Sequence, residues 1–224
     1  MIENLPGYIN ILFIITTIAT VIILYKAADY SAVILWTVII WLVVQGLISL
    51  SGFYNITQTI PPRFLLAVFP PFLLIVILFI SKSGKMFLNS LDIKTIIYLQ
   101  TVRVPVEIVL YLLSIYKLVP ELMTFEGRNL DIIAGFTAPF VAYFGFTKKL
   151  LSRNVILIWN IICFGLLLNI LVNAVLSAPF SFQKFAFDQP NRAVFYFPYI
   201  WLPCFIVPAA FLSHLLIFMR IKEF

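Results

Sequence analysis

Charged residues are scarce in this sequence. Only 11% of the 224 residues are Asp, Glu, Lys or Arg, whereas 63% are hydrophobic. A soluble domain carries about 25% charged and about 45–50% apolar residues. A globule of this length exposes too much surface to hide such an apolar excess. The composition therefore excludes a soluble protein and predicts that residues 1–224 form a single transmembrane helical domain with membrane lipids as its surroundings.

Residues that bind cofactors or metals, or form disulfides, are also rare. The sequence has one histidine, His214, and two cysteines, Cys163 and Cys204, both within apolar runs. This set cannot build a disulfide framework or a multi-histidine metal or haem site, so we expect no cofactor and no metal. His214 lies near the end of the last apolar run and is expected to pack close to the membrane interface. The basic residues form no stripe, which argues against nucleic acid as a partner.

Seven apolar runs approach the roughly 20 residues that a membrane-spanning helix needs. They are Tyr8–Tyr25, Ala32–Gly52, Arg63–Ile80, Lys94–Tyr116, Leu130–Phe146, Asn154–Ser177 and Ala193–Met219. Several contain internal prolines, which remove a helical hydrogen bond and tend to kink the helix. The sequence predicts an all-α polytopic membrane protein, a bundle of about seven transmembrane helices with several proline kinks.

The distribution of Lys and Arg predicts the orientation of this bundle, because cytoplasmic loops carry an excess of both residues. With the N-terminus outside, the larger basic set faces the cytoplasm: Lys26, Lys82, Lys85, Lys94, Lys148, Lys149, Arg153, Arg220 and Lys222. The smaller set faces outward: Arg63, Lys117, Arg128, Lys184 and Arg192. We therefore expect a multi-pass protein of the cell membrane with its C-terminus in the cytoplasm.

The most informative polar residues are Arg103 and Glu107, four residues apart in the fourth run. At 100° per residue they share one helix face, together with Gln100 and Tyr111. A mid-membrane arginine costs about 2.5–3.5 kcal/mol, so this face should point into the bundle. Arg103 and Glu107 are expected to neutralise each other. Either the pair is structural, or Arg103 holds an anionic ligand group and Glu107 accepts a proton or a cation.

Other polar residues fall in the outer half of the predicted membrane. Gly165, Asn169, Asn173 and Ser177 recur at four-residue steps, which favours a packing seam, with cavity lining as the alternative. Gln45 lies at a similar depth. These positions predict an outward-opening polar cavity with the Arg–Glu pair at its floor. Outer-loop residues that could join it are Arg63, Glu126, Arg128 and Asp131.

Three functions are compatible with this pattern. The favoured hypothesis is binding or transport of a small or amphipathic molecule through the predicted cavity. The alternative is a non-catalytic membrane subunit or scaffold, assembled as a homo-oligomer or with a membrane partner protein, in which the ion pair is structural. The third is an intramembrane lipid-modifying enzyme. It ranks last, because the sequence shows no nucleophile paired with a base.

Overall fold

The computed structural model describes residues 2 and 5–223, and within these the chain is helical without strands. The α-helices are α1 (Gly7–Ala27), α2 (Ala32–Leu50), α3 (Leu65–Ile80), α4 (Lys82–Ser90), α5 (Ile93–Leu99), α6 (Arg103–Ile115), α7 (Ile132–Ala142), α8 (Arg153–Ser177) and α9 (Val207–Met219). Short 3₁₀ turns occupy Phe53–Asn55, Gln100–Val102, Glu121–Met123, Ala193–Phe195 and Ile221–Glu223. One π-helical turn, Tyr143–Thr147, follows α7, and a second, Leu202–Ile206, precedes α9.

The described residues contain five helical stretches long and apolar enough to cross a membrane, or six if α3 and α4 form one broken span. The five are α1, α2, the continuous stretch Ile93–Ile115, α8 and the stretch Leu202–Met219. The predicted fifth run corresponds to a shorter apolar helix, Ile132–Thr147. The prediction of an all-helical bundle compatible with a membrane is thus confirmed. The predicted last run starts too early, because Ala193–Phe195 is a separate 3₁₀ turn.

The outer helices expose the apolar surface that lipid would cover. Along α1 the large exposed side chains recur every three or four residues, and each is more than half exposed. They are Tyr8, Ile11, Ile15, Ile18 and Ile22. The opposite face of α1 carries Thr16, Thr17 and Thr20, which are buried and donate to carbonyls one turn earlier. In water this distribution would be inverted, so it supports a helix that faces lipid on one side.

The segment between α3 and the next span contains a helix, α4, in a region where the sequence analysis found no apolar run. Helix α4 is bent by 95° from α3. Ser81 begins it, accepting a hydrogen bond from the backbone N–H of Gly84 at 3.1 Å. Leu88 on α4 is fully buried, whereas Met86 is 71% exposed. The apolar-run criterion missed this helix because it is short and carries Lys82 and Lys85.

The internal prolines differ in their local structure: Pro70, Pro71 and Pro139 lie within α3 and α7, whereas Pro105 and Pro208 follow irregular turns. Pro105 has no N–H to bond the carbonyl one turn earlier, and the chain passes from α5 to α6 through the 3₁₀ turn Gln100–Val102. Pro208 likewise leaves the Cys204 carbonyl without a helical donor. The indole N–H of Trp41 on α2 donates to that carbonyl at 2.9 Å. A side chain from a neighbouring helix thus satisfies the freed group, as a membrane interior requires.

The stretch Ile93–Ile115 is the centre of the bundle. In its most apolar window 61% of the residues are buried, against 28% in α1 and 22% in α2. Two hydrophobic clusters pack around it. One includes Val106 and Leu110, and the other includes Ile93 and Ile97. Gln100, Arg103 and Glu107 of this stretch are buried polar residues, and they belong to a central polar layer that contains the candidate site.

Candidate functional site

An ion pair between Arg103 and Asp131 forms the core of the polar layer. The Nε–H of Arg103, the first residue of α6, donates to Asp131 Oδ2 at 2.6 Å, and a terminal N–H donates to Oδ1. Both residues are buried. This corrects the predicted pairing of Arg103 with Glu107, because the loop before α7 supplies a closer carboxylate. Asp131 starts α7 but does not cap it with its side chain, which is committed to the guanidinium.

The remaining N–H groups of Arg103 are all used within the protein. One terminal nitrogen contacts Gln100 Oε1 at 3.3 Å and His214 Nε2 at 3.0 Å. The other donates to the Cys163 carbonyl at 3.3 Å in addition to its bond with Asp131. A guanidinium has five N–H donors, and each of the five has a partner. Arg103 therefore has no donor left for the anionic ligand group that the sequence suggested.

His214 belongs to this network and not to the membrane interface, where the sequence analysis placed it. Its side chain is fully buried. Arginine cannot accept a hydrogen bond, so His214 Nε2 accepts from Arg103, and Nδ1 donates to Asn160 Oδ1 at 2.7 Å. The amide of Asn160 in turn donates to the His214 carbonyl at 3.1 Å. These contacts fix a neutral imidazole and tie α8 to α9.

Glu107 is held separately from the ion pair. Its Oε1 accepts from Asn129 Nδ2 at 2.6 Å. Asn129 also donates to the Met123 carbonyl at 3.0 Å and accepts from the backbone N–H of Asp131 at 3.0 Å. The second carboxylate oxygen of Glu107, Oε2, is buried and has no hydrogen-bond partner among the described residues. One buried carboxylate oxygen is therefore available to a ligand.

Close packing of α7 against α6 brings the two carboxylates to the same region. A Cβ atom on Gly135 would lie 2.7 Å from Val104 Cγ2 and 2.8 Å from the Val104 backbone nitrogen. Ala134 and Ala138 are fully buried on the same helix. Small residues at these positions let the helix backbones approach, as is typical of membrane helix pairs. This approach places Asp131 beside Arg103.

An interhelical cavity of about 220 Å³ adjoins Glu107. Its wall is mostly apolar and includes Phe72 of α3, Val106 of α6, Leu171 of α8 and Val207 of α9. Its polar lining residues are Glu107, Asp131 and Asn191. The cavity is thus a mostly apolar chamber whose lining includes the carboxyl groups of Glu107 and Asp131. The sequence had predicted a polar cavity.

Two connecting segments cover part of this cavity. Met123 belongs to the segment between α6 and α7, and Phe180 and Val194 belong to the segment after α8. All three are buried. The connections are therefore folded onto the bundle and contribute to the cavity wall.

The other residues predicted for the site lie elsewhere. Gln45 is buried and accepts from the Tyr54 hydroxyl at 2.5 Å, and burial raises the pKa of Tyr54 to about 12. Tyr111 packs on Phe125 with ring centroids 4.9 Å apart. Arg63 lies over the Phe53 ring at 4.8 Å. None of these three predicted residues lines the cavity next to Glu107.

The predicted seam on α8 is buried in its second half, at Asn173 and Ser177, and exposed in its first half. Gly165 and Asn169 are exposed, whereas the buried face contains Asn160, Cys163 and Asn173. Asn169 donates to the Arg128 carbonyl at 2.9 Å, and Asn173 donates to Asn169 Oδ1 at 3.2 Å. The Glu126 and Arg128 side chains are exposed. Of the outer-loop candidates, Asp131 alone enters the site.

Sequence reasoning missed His214, Asn160 and Ser213 as members of the polar layer. Gln100 Nε2 donates to Ser213 Oγ, and Ser213 donates to the Ala210 carbonyl at 2.8 Å. The signal available was their position inside apolar runs, where a polar side chain needs a protein partner. Among the described residues, no three His, Cys, Asp or Glu side chains are grouped so that they could hold a metal ion.

Comparison with known proteins identifies a family. The family described as "Domain of unknown function (DUF8737)" matches residues 60–222, which is most of the chain. The matched range contains every residue of the polar layer described above, from Gln100 to His214, and leaves out α1 and α2. No curated protein and no solved structure matches the chain. The chain therefore belongs to the family of this domain, DUF8737.

Proposed function

We propose that this protein binds a small amphipathic molecule in the interhelical cavity next to Glu107, as a step in its recognition or transport. The observation that carries the proposal is the unpartnered Oε2 of Glu107, a buried polar atom on a residue that lines an otherwise apolar chamber. Leaving such an atom unsatisfied costs about 1–3 kcal/mol. A ligand with an apolar body and one polar end would recover that cost.

The proposal includes the arrangement in the membrane. Seven spans, with the N-terminus outside and the C-terminus in the cytoplasm of a cell, place Glu107 in the outer half of the bilayer. Single cysteines at Glu126 and Lys149 test this orientation in a background where Cys163 and Cys204 are replaced by alanine. A membrane-impermeant maleimide added to intact cells should label the first and spare the second. The reverse pattern would invert the orientation.

Filling the cavity tests the binding site. Ala174 on α8 lines the cavity, whereas Val172 on the same helix is 54% exposed and lies outside the lining. Tritium-labelled 1-octanol should bind saturably to the wild-type protein in lipid nanodiscs. The Ala174→Trp variant should lose this saturable binding and the matched Val172→Trp variant should keep it. Equal binding by both variants would contradict the proposed site.

A second candidate function is that of a membrane subunit. It is favoured by the complete internal satisfaction of Arg103, which is what an architectural ion pair requires. An open apolar groove of about 510 Å³, lined by Trp41 and Pro70 among others, offers a face for a partner helix. The mass of the particle extracted in mild detergent tests this candidate, which predicts a stable oligomer or complex.

A further inference from the structure

The charges around the cavity do not balance. Arg103 and Asp131 neutralise each other through their two-point contact. His214 is neutral, because Nε2 accepts from Arg103. Glu107 receives one hydrogen bond, from the uncharged amide of Asn129. When Glu107 is ionised, the site carries one uncompensated negative charge in a low-dielectric environment, and either a cationic partner or the uptake of a proton removes the cost of that charge.

The hydrogen-bonding character of the cavity points the same way. Asn191 lines it, and its Oδ1 is buried without a partner, whereas its Nδ2 donates to the Ala174 carbonyl at 3.3 Å. With Glu107 ionised, the free polar atoms of the described lining are acceptors, Glu107 Oε2 and Asn191 Oδ1. The lining contains no lysine or arginine. A ligand needs donors to match this site, and a carboxylate or phosphate group would meet acceptors only.

The size of the chamber limits the rest of the molecule. A cavity of about 150 Å³ lined by apolar side chains holds benzene, with its six non-hydrogen atoms. By proportion, the cavity of about 220 Å³ has room for about nine such atoms. Its wall includes Val106, Leu110 and Leu171, which suit an aliphatic or aromatic body.

We propose that the ligand is an amphipathic amine of about this size, with its ammonium group hydrogen-bonded to Glu107 Oε2 and its apolar body between α3, α6, α8 and α9. Asn191 Oδ1 is a second acceptor in the same chamber for an ammonium N–H or a further donor on the ligand. This inference rests on the proposed function. It adds the chemical class of the polar end, which the existence of the cavity does not specify.

Matched ligands in the wild-type protein test the inference. Octylamine, 1-octanol and octanoate share one chain length and differ in the charge of the polar end. Their affinities are measured as tritium-labelled ligands by saturation binding in nanodiscs of uncharged lipid at pH 7. Octylamine is expected to bind at least tenfold more tightly than 1-octanol, and octanoate to show no saturable binding. Equal or tighter binding of 1-octanol would overturn the amine proposal and leave the cavity proposal intact. Absence of saturable binding by all three ligands would overturn both.

A charge-removing variant connects the preference to one residue. Glu107→Gln should lower octylamine affinity at least tenfold and change 1-octanol affinity less than threefold. The matched control is Glu121→Gln, an exposed carboxylate in the segment that precedes α7, which should leave both affinities unchanged. Unaltered octylamine binding in a folded Glu107→Gln protein would overturn the assignment. If that variant does not fold, the comparison of the three ligands in the wild-type protein still decides the charge of the polar end.

Discussion

Arg103 and Asp131 meet inside the bundle in a two-point contact, although 28 residues separate them in the chain. The contact joins the start of α6 to the start of α7. Burying two charges is costly and is tolerated when the geometry is good and the remaining donors are satisfied. Here Gln100, His214 and the Cys163 carbonyl complete the set. The polar layer is therefore a closed network, and Glu107 beside it is the group left open.

Removing the negative partner of this pair should destabilise the protein strongly. Asp131→Asn leaves Arg103 buried without its counter-ion, a change that costs about 3–5 kcal/mol. Glu107→Gln removes a carboxylate of similar burial that does not touch Arg103, so its cost should be below about 1 kcal/mol or favourable. The melting temperatures of the two variants in one detergent measure the difference. A larger drop for Glu107→Gln would contradict the assignment of Asp131 as the counter-ion.

The close approach of α6 and α7 should tolerate no added methyl group. Gly135→Ala would place a Cβ atom 2.7 Å from the Val104 side chain and 2.8 Å from its backbone nitrogen. The helices must then separate, at a cost of about 1–3 kcal/mol. Gly165→Ala in α8 is the control, because nothing lies within 4 Å of the new atom. It should stabilise the helix by about 0.5–1 kcal/mol. Thermal unfolding of the two variants should therefore shift in opposite directions.

The sequence predicted features that depend on residues close together in the chain, and it failed for contacts between residues far apart in the chain. Apolar length predicted helix in each of the seven runs, because the cost of exposed backbone in lipid acts locally along the chain. The spacing of Gln100, Arg103 and Glu107 correctly placed them on a buried face. The counter-ion was missed because Asp131 follows a loop whose path is set by Gly127 and Asn129, in contacts that no periodicity encodes. α8 was misjudged because both its faces carry amides.

The His214–Asn160 hydrogen bond should stabilise the folded protein partly because His214 also bonds to Arg103. His214→Phe preserves much of the ring volume but leaves one Arg103 N–H and the Asn160 amide oxygen unpaired. Each unpaired buried group costs about 1–3 kcal/mol of stability. Asn160→Leu removes the other partner. In a double-mutant cycle the two changes should be non-additive by about 0.5–3 kcal/mol, because they share one network. Additive losses in unfolding free energy would mean that the two side chains act independently.

Trp41 should stabilise the bundle because it bonds to a carbonyl that Pro208, on another helix, leaves without a helical donor. Trp41→Phe deletes the donor to the Cys204 carbonyl, which Pro208 leaves without a helical partner, and should cost about 0.5–1.5 kcal/mol. Trp36→Phe is the control on the same helix, since Trp36 is 60% exposed. In a Pro208→Ala background the new N–H can bond the Cys204 carbonyl, so the cost of Trp41→Phe should fall. An undiminished cost in that background would show that the tryptophan stabilises the bundle by packing alone, without a contribution from the freed carbonyl.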